Sequence, residues 1–373
     1  MMKQFTTQDI VNEENLIDID ENLWVELNEV MSKDEIKQLI SDAIENHKVR
    51  MPMIQITEDE MRQAFEDLKN LDTTDLIKEG VFTSRYPFEA TKNNEYIDTN
   101  RTGLKASNYF HQETRWKCDS INSPSPYRTW TQERFRLTLF KALWTLKFDK
   151  INEQNLRSAI ALRKYIAAQF SPASAKAIYE RFESKKVLDF SSGWGDRLLA
   201  FASCENTEHY TGIDPNIALA EGYQRQIAEY GGDKEYRMIV GCAEDVVLED
   251  EFFDTVFTSP PYFNVEKYTH EETQSFKKFR KLDDWLDKFL FKALDNAWNS
   301  LKKGGHMIIN ISDVYSNHRV NQLCDPMCEY MESKSDAEFQ GTMGLRMNKR
   351  PNSKAGKIEG VFAEPMFIWR KLY

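Results

Sequence analysis

Residues 186–196 of this chain read KVLDFSSGWGD. A short apolar run ends at Phe190, two glycines follow at Gly193 and Gly195, and a helix-forming stretch continues from Arg197 to Ala202. A buried strand that runs through a glycine turn into a helix is typical of parallel sheets with crossover helices. The glycines let the backbone approach a ligand closely, and the helix N-terminus offers it unpaired N–H groups.

The alternation of strand and helix continues to the end of the chain. The apolar patterns predict further strands at 210–214, 237–240, 254–258 and 306–311, with helix-forming stretches between them. We therefore predict an α/β fold with a doubly wound, mostly parallel, Rossmann-like sheet. Ligands of such sheets lie at the carboxyl ends of the strands, and the motifs described below all fall there.

The first 130 residues have a different texture. Up to about residue 76 they are acidic with helical spacing of apolar side chains, and residues 83–131 gain Pro, Asn, Ser and aromatic residues, which indicate ordered loops and short strands. We expect two domains, an N-terminal mainly helical module at 1–130 and a catalytic domain at 131–373. Target recognition, dimerisation of the chain and mimicry of DNA remain open as roles of the acidic module.

Charge is distributed unevenly along the chain, whose formal net charge is -11. Residues 1–100 contain 10 Lys and Arg against 23 Asp and Glu, whereas residues 101–180 contain 14 basic and 6 acidic side chains. A local basic stretch of this kind is expected of a face that contacts phosphates, although a solvated helix surface would have the same composition.

Aromatic residues alternate with arginines in the basic stretch, and a second basic segment lies near residue 348. Such side chains stack on bases and hold phosphates, but the rings would equally well pack inside the protein. The candidate contacts to nucleic acid are Arg115, Trp116, Arg128, Trp130, Arg346, Lys349 and Arg350.

The five cysteines are scattered and lack the paired Cys or His residues of a zinc site, so we expect reduced thiols and no metal. The chain contains no run approaching about 18 apolar residues and no signal-peptide pattern near its first residue. These features predict a cytoplasmic protein without a membrane partner.

Two acids follow the second and third predicted strands. Asp214 is placed to accept the hydroxyls of a ribose, as acids at this position do in nucleotide-binding sheets. Asp245 would accept from an adenine amino group. Together with the glycine turn, the acids describe a pocket for adenosine, although Asp189 or Asp245 alone would also suit a helix N-cap.

The fourth predicted strand ends in Ser259, Pro260, Pro261 and Tyr262. The prolines fix the backbone and remove two N–H donors, so the local carbonyls are left as acceptors. An exocyclic amino group is a poor nucleophile because its lone pair is delocalised into the ring. The Ser259 hydroxyl and the Pro260 carbonyl would take its two hydrogens and free the lone pair, while Tyr262 stacks on the base.

These motifs resemble those of the class I S-adenosylmethionine-dependent amino methyltransferases, the N4-cytosine and N6-adenine DNA methylases. The resemblance covers about residues 165–373 and includes Phe170-Ser171-Pro172, which is similar to the segment that closes over the methionine end of the cofactor. It implies double-stranded DNA with a flipped base as the substrate and four catalytic residues: Ser259, Pro260, Pro261 and Tyr262. It implies S-adenosylmethionine as the cofactor, with the binding residues Phe170, Ser171, Asp189, Ser191, Gly193, Gly195, Asp214 and Asp245.

Ser191 departs from the family, which generally has phenylalanine there, whereas Ser259 resembles the cytosine-N4 enzymes more than the adenine enzymes. Four alternatives therefore stay open: adenine N6 of DNA, an RNA substrate, a protein glutamine, and a catalytically silent nucleic-acid-binding subunit. Methylation at cytosine C5 is excluded because that reaction needs a cysteine after proline, and the chain has no Pro-Cys pair.

Overall fold

The computed structural model describes residues 4–316, 318–348 and 360–373. The chain forms two compact units, each built from two separate stretches. Unit 1 comprises residues 1–55 and 115–167, and unit 2 comprises residues 56–114 and 168–373. This division differs from the predicted boundary at residue 130, because helices from both stretches of unit 1 share one hydrophobic core.

The helices α1–α15 follow one another in chain order with these bounds: Glu21–Val30, Lys33–Asn46, Glu58–Lys69, Leu104–Trp116, Pro126–Thr131, Glu133–Leu139, Lys141–Thr145, Glu153–Arg163, Pro172–Arg181, Asp196–Ser203, Ala220–Tyr230, Ser275–Lys278, Leu282–Trp285, Phe291–Ser300 and Cys324–Glu332. Short 3-10 turns lie at Thr7–Ile10, Thr74–Leu76 and Ile217–Leu219, and a π-helical turn lies at Leu286–Leu290. No helix in the described parts of the chain is long and apolar enough to span a membrane.

The strands β1–β14 have these bounds: Ile77–Glu79, Phe82–Thr83, Lys92–Ile97, Asp119–Ser120, Lys186–Asp189, His209–Asp214, Glu235–Val240, Phe253–Thr258, Glu266–Lys267, Leu301–Asn310, Val314–Ser316, Arg319–Asn321, Ala337–Arg346 and Val361–Lys371. The five strands predicted from the sequence correspond to β5, β6, β7, β8 and β10.

Unit 1 is a helical assembly around Trp24, Leu27, Ile40, Leu143 and Ile160. Its first helix, α1, follows the predicted apolar spacing. Asp20 caps its N-terminus, because the Asp20 carboxylate accepts from the Leu23 N–H. The fully buried Phe140 separates two consecutive helices of this unit, α6 and α7. Residues 83–131 are more helical than predicted, because α4 and α5 lie within them.

Unit 2 contains the large sheet, whose strand order is β1-β3-β13-β14-β10-β8-β5-β6-β7, with β2 beside β14. Strands β7, β6, β5, β8 and β10 are parallel, and β14 returns antiparallel between β10 and β13. The predicted α/β fold with a mostly parallel, doubly wound sheet is confirmed. From β5 the chain moves to β6 on one side and later to β8 on the other, so the switch point lies between β5 and β8.

One buried carboxylate joins the strand ends at this switch point. Asp189, the last residue of β5, is fully buried and accepts from the Arg197 guanidinium through Nε at 2.8 Å and Nη2 at 3.2 Å. The Tyr210 hydroxyl donates to it at 2.8 Å and the Thr258 hydroxyl at 2.7 Å. Because these donors lie on α10, β6 and β8, the carboxylate fixes three elements relative to β5.

Removing this carboxylate should strongly destabilise the protein. We expect Asp189→Ala to lower the free energy of unfolding by about 3 to 5 kcal/mol, because the Arg197 charge stays buried without its partner. Thr258→Val, which removes one donor, should cost about 1 kcal/mol. Urea unfolding followed by tryptophan fluorescence measures both, with the exposed Asp250→Ala as the control; a loss for Asp189→Ala no larger than the control's would contradict the assignment.

Candidate active site

The glycine turn after β5 is held from three sides. The Gly193 N–H donates to the Asp214 carboxylate at 3.0 Å, and the Gly193 carbonyl accepts from the Tyr223 hydroxyl. The Gly195 carbonyl accepts from the Gln226 amide at 2.8 Å. Both glycines have positive φ, +56° and +72°, a conformation that other residues rarely adopt. The turn therefore needs glycine at both positions.

The two glycines differ in how much free space lies beside them. A Cβ atom at Gly195 would lie 2.5 Å from the Gln226 amide oxygen and 2.7 Å from the His111 ring nitrogen Nε2, so this side is filled. Burial lowers the pKa of His111 to about 4, so its ring is neutral at pH 7. A Cβ at Gly193 would meet its nearest atom, the Ser191 carbonyl oxygen, only at 3.8 Å. The Gly193 side has room for a ligand.

Asp214 closes this open side at the end of β6. Its two oxygens accept from the N–H groups of Gly193 and Asn216 and retain lone pairs for further donors. Burial raises the pKa of Asp214 to about 6, against the lowering effect of these two N–H groups. The side-chain nitrogen of the neighbouring Asn216 is buried and has no acceptor among the described residues. Both features fit a ligand that brings hydroxyl groups, such as a ribose.

Asp245, the predicted adenine contact, lies exposed beyond the end of β7 and pairs with Lys278 at 2.8 Å. Lys278 also pairs with the buried Glu244. Cys242, Glu244 and Asp245 place one ligand atom each within 4.8 Å of one another, but both carboxylates of this group already pair with the Lys278 ammonium. Asp245 remains accessible to a ligand at this rim.

The remaining predicted cofactor residues mostly support the turn. Asp189 is saturated by its donors, and the Ser191 N–H and carbonyl bond to Asp189 and Arg197. Ser171 caps α9 by accepting from the Ser174 N–H, and its hydroxyl donates to the Asn100 carbonyl. Asp189 has no solvent access, although the family resemblance implies a cofactor contact at this position. We therefore assign Asp189 to holding the glycine turn rather than to contacting the cofactor.

Phe170 is half-buried against the Phe257 ring, at 5.5 Å between ring centroids, and the Arg197 guanidinium lies 5.4 Å from the Phe170 ring. It therefore packs against β8 and α10, and its contact with the cofactor stays a prediction. None of these contacts depends on the residue at 191.

The predicted catalytic corner directly follows β8. Ser259 and Tyr262 are half-buried, and Pro260 is buried. The Pro261 carbonyl accepts from the Phe263 N–H at 3.1 Å, whereas the Pro260 carbonyl receives no hydrogen bond from any residue the structure describes. Phe263 adopts a positive φ of 52°, which turns the chain sharply after Tyr262. The role of the Pro260 carbonyl as an acceptor for the substrate stays a prediction.

Tyr262 is held by the fifth parallel strand. Its hydroxyl lies 3.3 Å from both the backbone carbonyl and the side-chain oxygen of Asn310, the last residue of β10. The buried Asn310 amide donates in turn to the Pro365 carbonyl of β14 at 3.1 Å. The Ser259 hydroxyl lies 3.5 Å from the Tyr262 hydroxyl. The sequence alone did not identify Asn310, because its partners come from distant strands.

Glu364 in β14 is a second residue that the sequence analysis missed as part of the site. Burial raises the pKa of its carboxyl to about 7, although hydrogen bonding with Tyr262 and Asn310 lowers it, and Glu266 raises it further. Asn264, just after the corner, has a buried side-chain oxygen without a donor in the described parts of the chain. The corner is therefore surrounded by polar groups from three elements.

The two halves of the site lie at one rim of the sheet. Asp189 precedes the glycine turn, Thr258 precedes the catalytic corner, and the hydrogen bond between their side chains is 2.7 Å long. Strands β5 and β8 are hydrogen-bonded neighbours. A ligand on the turn and a base at the corner would therefore occupy adjoining positions.

The predicted nucleic-acid residues fare differently. Trp116 and Trp130 are buried in the core of unit 1, and the Trp130 ring N–H donates to the Val49 carbonyl, so neither ring is available to stack on a base. This prediction was wrong because the rings complete a hydrophobic core. Arg128 pairs with Asp119 at 2.5 Å, and Arg115 donates to the Ala167 carbonyl at 3.0 Å.

In unit 2, Arg346 is exposed and pairs with Asp98 at 2.8 Å. The predicted contacts Lys349 and Arg350 lie outside the described residues.

Comparison with known sequences finds a family match for the part of the chain that contains this corner. Residues 253–371 match a family of N6 and N4 methyltransferases described as DNA methylase. This part of the chain is therefore similar to the DNA methylase family. The match confirms the resemblance to the amino methyltransferases and, with it, S-adenosylmethionine as the cofactor.

A curated relative of this DNA methylase segment is the Type II methyltransferase M.SfiI of Streptomyces fimbriatus. It is 32% identical over 98 residues, which are 26% of this chain and 22% of the relative. The chain thus matches about a fifth of that protein's length.

Solved structures with similar folds include an S-adenosylmethionine-dependent O-methyltransferase from Thermotoga maritima, with 11% identity over 58% of this chain and 71% of that chain and a TM-score of 0.36. A tRNA (m1A58) methyltransferase from Aquifex aeolicus has 12% identity over 56% of this chain and 71% of that chain, with a TM-score of 0.35. These scores are too low to bear on the substrate.

The residues at the turn fit this cofactor. The open side of Gly193, the Asp214 carboxylate and the Asn216 side-chain nitrogen, which has no acceptor among the described residues, suit the ribose of S-adenosylmethionine, and Asp245 stays the predicted contact of its adenine. When bound, the cofactor supplies an electrophilic methyl group.

Two glycines with positive φ, Gly195 in the turn and Gly232 outside it, offer a matched test of the turn. Gly232 also has positive φ, at +58°, but a Cβ there would meet no atom within 4 Å. We expect Gly232→Ala to cost about 1 to 2 kcal/mol of stability and to leave cofactor affinity unchanged. Gly195→Ala should cost more and weaken cofactor binding, as measured by calorimetry; equal effects of the two variants would refute the crowding behind Gly195.

Cofactor binding should depend on pH through Asp214. Its carboxylate must be ionised to accept both ribose hydroxyls, and its pKa is about 6, so affinity should be constant above pH 7 and fall as the pH drops through 6. Asp214→Asn should bind about 10- to 100-fold more weakly at pH 8, since hydrogen bonds to charged groups contribute about 1.5 to 3 kcal/mol. Titration calorimetry from pH 5 to 8 should find a flat profile for the variant; a persisting decline would assign the effect to another group.

Proposed function

We propose that this protein transfers a methyl group from S-adenosylmethionine to the exocyclic amino nitrogen of a base in DNA, with cytosine N4 as the favoured acceptor. The observation that supports this most is the Asp189–Thr258 hydrogen bond, because it holds the glycine turn and the Pro-Pro-Tyr corner at the same rim. A methyl donor on the turn and an amino group at the corner would then meet directly, without a covalent enzyme intermediate.

The residues of the corner have separate roles in this proposal. The Ser259 hydroxyl and the free Pro260 carbonyl accept the two amino hydrogens, which localises the nitrogen lone pair for attack on the methyl carbon. As the N–C bond forms, the S–C bond breaks with its electron pair left on sulfur as a neutral thioether, and the nitrogen loses one of its protons to solvent. Tyr262 stacks on the base, and Asn310 holds its hydroxyl so that the ring keeps one orientation.

The choice of cytosine rests on the serine at the head of the motif, since the resemblance of Ser259 is to the N4-cytosine enzymes. Adenine N6 is the nearest alternative and uses the same geometry. In duplex DNA either base must leave the stack to reach the corner, which costs a few kcal/mol and has to be offset by contacts with the protein. A cytoplasmic location suits this substrate, and a homodimer stays a prediction.

A catalytically silent nucleic-acid-binding subunit is a second candidate. Ser191 stands where the family has phenylalanine, and Asp189 is occupied by internal donors, so the cofactor side has fewer contacts than the family resemblance implies. Calorimetry with S-adenosylmethionine separates the two functions, because a silent subunit should not bind it.

The product of the reaction tests the proposal. Incubation of the full chain with DNA and methyl-labelled cofactor, followed by digestion to nucleosides, should place the label in N4-methylcytosine. Label in N6-methyladenine would select the alternative base. Label in RNA or protein, when those replace DNA in the same assay, would reassign the substrate, and no transfer to any of them would leave the silent subunit.

Two substitutions at Tyr262 should separate its ring from its hydroxyl. Tyr262→Ala removes stacking worth about 1 to 3 kcal/mol, so we expect kcat/KM for DNA to fall by about 10- to 100-fold. Tyr262→Phe keeps the ring and loses only the bonds to Asn310, so its loss should be smaller. Steady-state kinetics of both variants, with the exposed Tyr373→Ala as the control, would contradict the stacking role if Tyr262→Ala matched the control.

A further inference from the structure

A cleft of about 830 Å³ opens in unit 2 beside the Pro-Pro-Tyr corner. Three stretches of the chain far apart in sequence contribute to it: the loop after β2, the segment from the corner to α13, and the β11–β12 hairpin with the residues that follow it. We call it the basic cleft and define it by Tyr86, Phe263, Arg280, Lys281, Asp313 and Arg319. The charge pattern of the sequence did not identify it, because its cations lie outside the basic stretch at 101–180.

The cations of the cleft are exposed and have few partners. Within the described ranges, none of Arg280, Lys281 and Arg319 forms an ion pair with a carboxylate. The Arg319 guanidinium contacts only the Asn321 amide oxygen, at 3.3 Å. Asp284, three residues after Lys281 in the chain, pairs with Lys288 instead. Unpaired cations on one concave surface favour an anionic ligand.

The two carboxylates in the cleft do not cancel this charge. Asp313 is buried and accepts from the backbone N–H groups of Leu323 and Cys324 at 2.7 and 2.9 Å, so it is occupied in capping α15. Asp283 lies exposed in the first turn of α13. Three cations therefore face the solvent against one exposed acid.

The cleft also offers an apolar surface. Tyr86 is half-buried with the Arg85 guanidinium 5.6 Å from its ring, and Leu282, Leu286 and Pro326 line the wall. Grooves that combine cations with an aromatic ring bind single nucleic-acid strands, since phosphates and bases are held together. The cleft volume lies in the upper part of the roughly 300 to 1,000 Å³ range of ligand sites. The cleft is therefore larger than a single base requires.

Two residues that line the cleft lie close along the chain to residues of the catalytic corner. Phe263 directly follows Tyr262 in the chain and lines the cleft. Asp313 lies three residues after Asn310, whose side chain and carbonyl hold the Tyr262 hydroxyl. A strand whose base stands at Tyr262 would therefore pass directly into the cleft.

We infer that the basic cleft binds the sugar–phosphate backbone of the DNA strand that carries the target base, next to the flipped nucleotide. Arg280, Lys281 and Arg319 contact phosphates, and Tyr86 supports a flanking base. The inference rests on the proposed function for the identity of the strand. It assigns the phosphate contacts to unit 2 rather than to the arginines and tryptophans predicted in residues 115–130.

Salt dependence of binding tests the inference directly. Each phosphate contact contributes about 0.9 to the slope of log affinity against log salt. The variant Arg280→Ala/Lys281→Ala/Arg319→Ala should therefore have a slope smaller by about 2 to 3, and its Kd for a short fluorescent duplex in 0.1 M salt should rise on the order of a hundredfold. Fluorescence anisotropy over a salt series measures both quantities.

A matched control lies at the opposite rim of the same sheet. Lys302 and Lys303 at the start of β10 and Arg370 near the end of β14 have no ion pair in the ranges that the structure describes. Lys302→Ala/Lys303→Ala/Arg370→Ala removes the same charge and should keep the wild-type slope. Thermal unfolding and cofactor calorimetry on both variants confirm that they are folded.

The outcomes separate this inference from the proposed function. If the wild type methylates DNA and both triple variants have the same slope, the cleft assignment fails while the function stands. If the cleft variant alone loses DNA affinity but the wild type places no label in DNA, the cleft assignment stands and the function fails. Loss of affinity for an RNA hairpin but not for DNA, or no DNA binding by the wild type, would overturn the assignment.

Discussion

The site depends on a single buried carboxylate. Asp189 accepts from Arg197, Tyr210 and Thr258, and these donors fix α10, β6 and β8 at the switch point of the sheet. A buried charge without its partners would be costly, so the three elements are constrained to keep this arrangement. The two reacting partners of the proposed transfer meet only because the elements beneath them are joined here.

The catalytic corner has a second set of supports on its other side. Tyr262 bonds to Asn310 at the end of the fifth parallel strand, and Asn310 bonds to Pro365 of the antiparallel strand β14. The carboxyl of Glu364, with its pKa of about 7, lies beside the same tyrosine. The DNA methylase match spans residues 253–371 and thus includes both the corner and the strands that hold it.

Local sequence patterns were sufficient for the parallel sheet. The apolar runs at β5, β6, β7, β8 and β10 are each followed by turn residues, and strand-forming side chains between helices allow few other arrangements. The edge strand β1 and its neighbour β3 lie in a region without clear alternation, so the sequence predicted short strands only in general terms for residues 83–131 and none at β1. The helices α4 and α5 were missed for a similar reason, since their Pro, Asn and Ser residues favour loops when tertiary contacts are ignored.

The sequence by itself determined the parallel fold, the glycine turn and the Pro-Pro-Tyr corner, because backbone conformation at glycine and proline and the burial of apolar strands are local properties. The tertiary structure decided which polar residues face a ligand. It buried Trp116 and Trp130 in a core, enclosed Asp189, and brought Asn310 and Glu364 to Tyr262. Long-range strand order and the division into two units set these outcomes, and the spacing of residues along a chain carries no direct information on either.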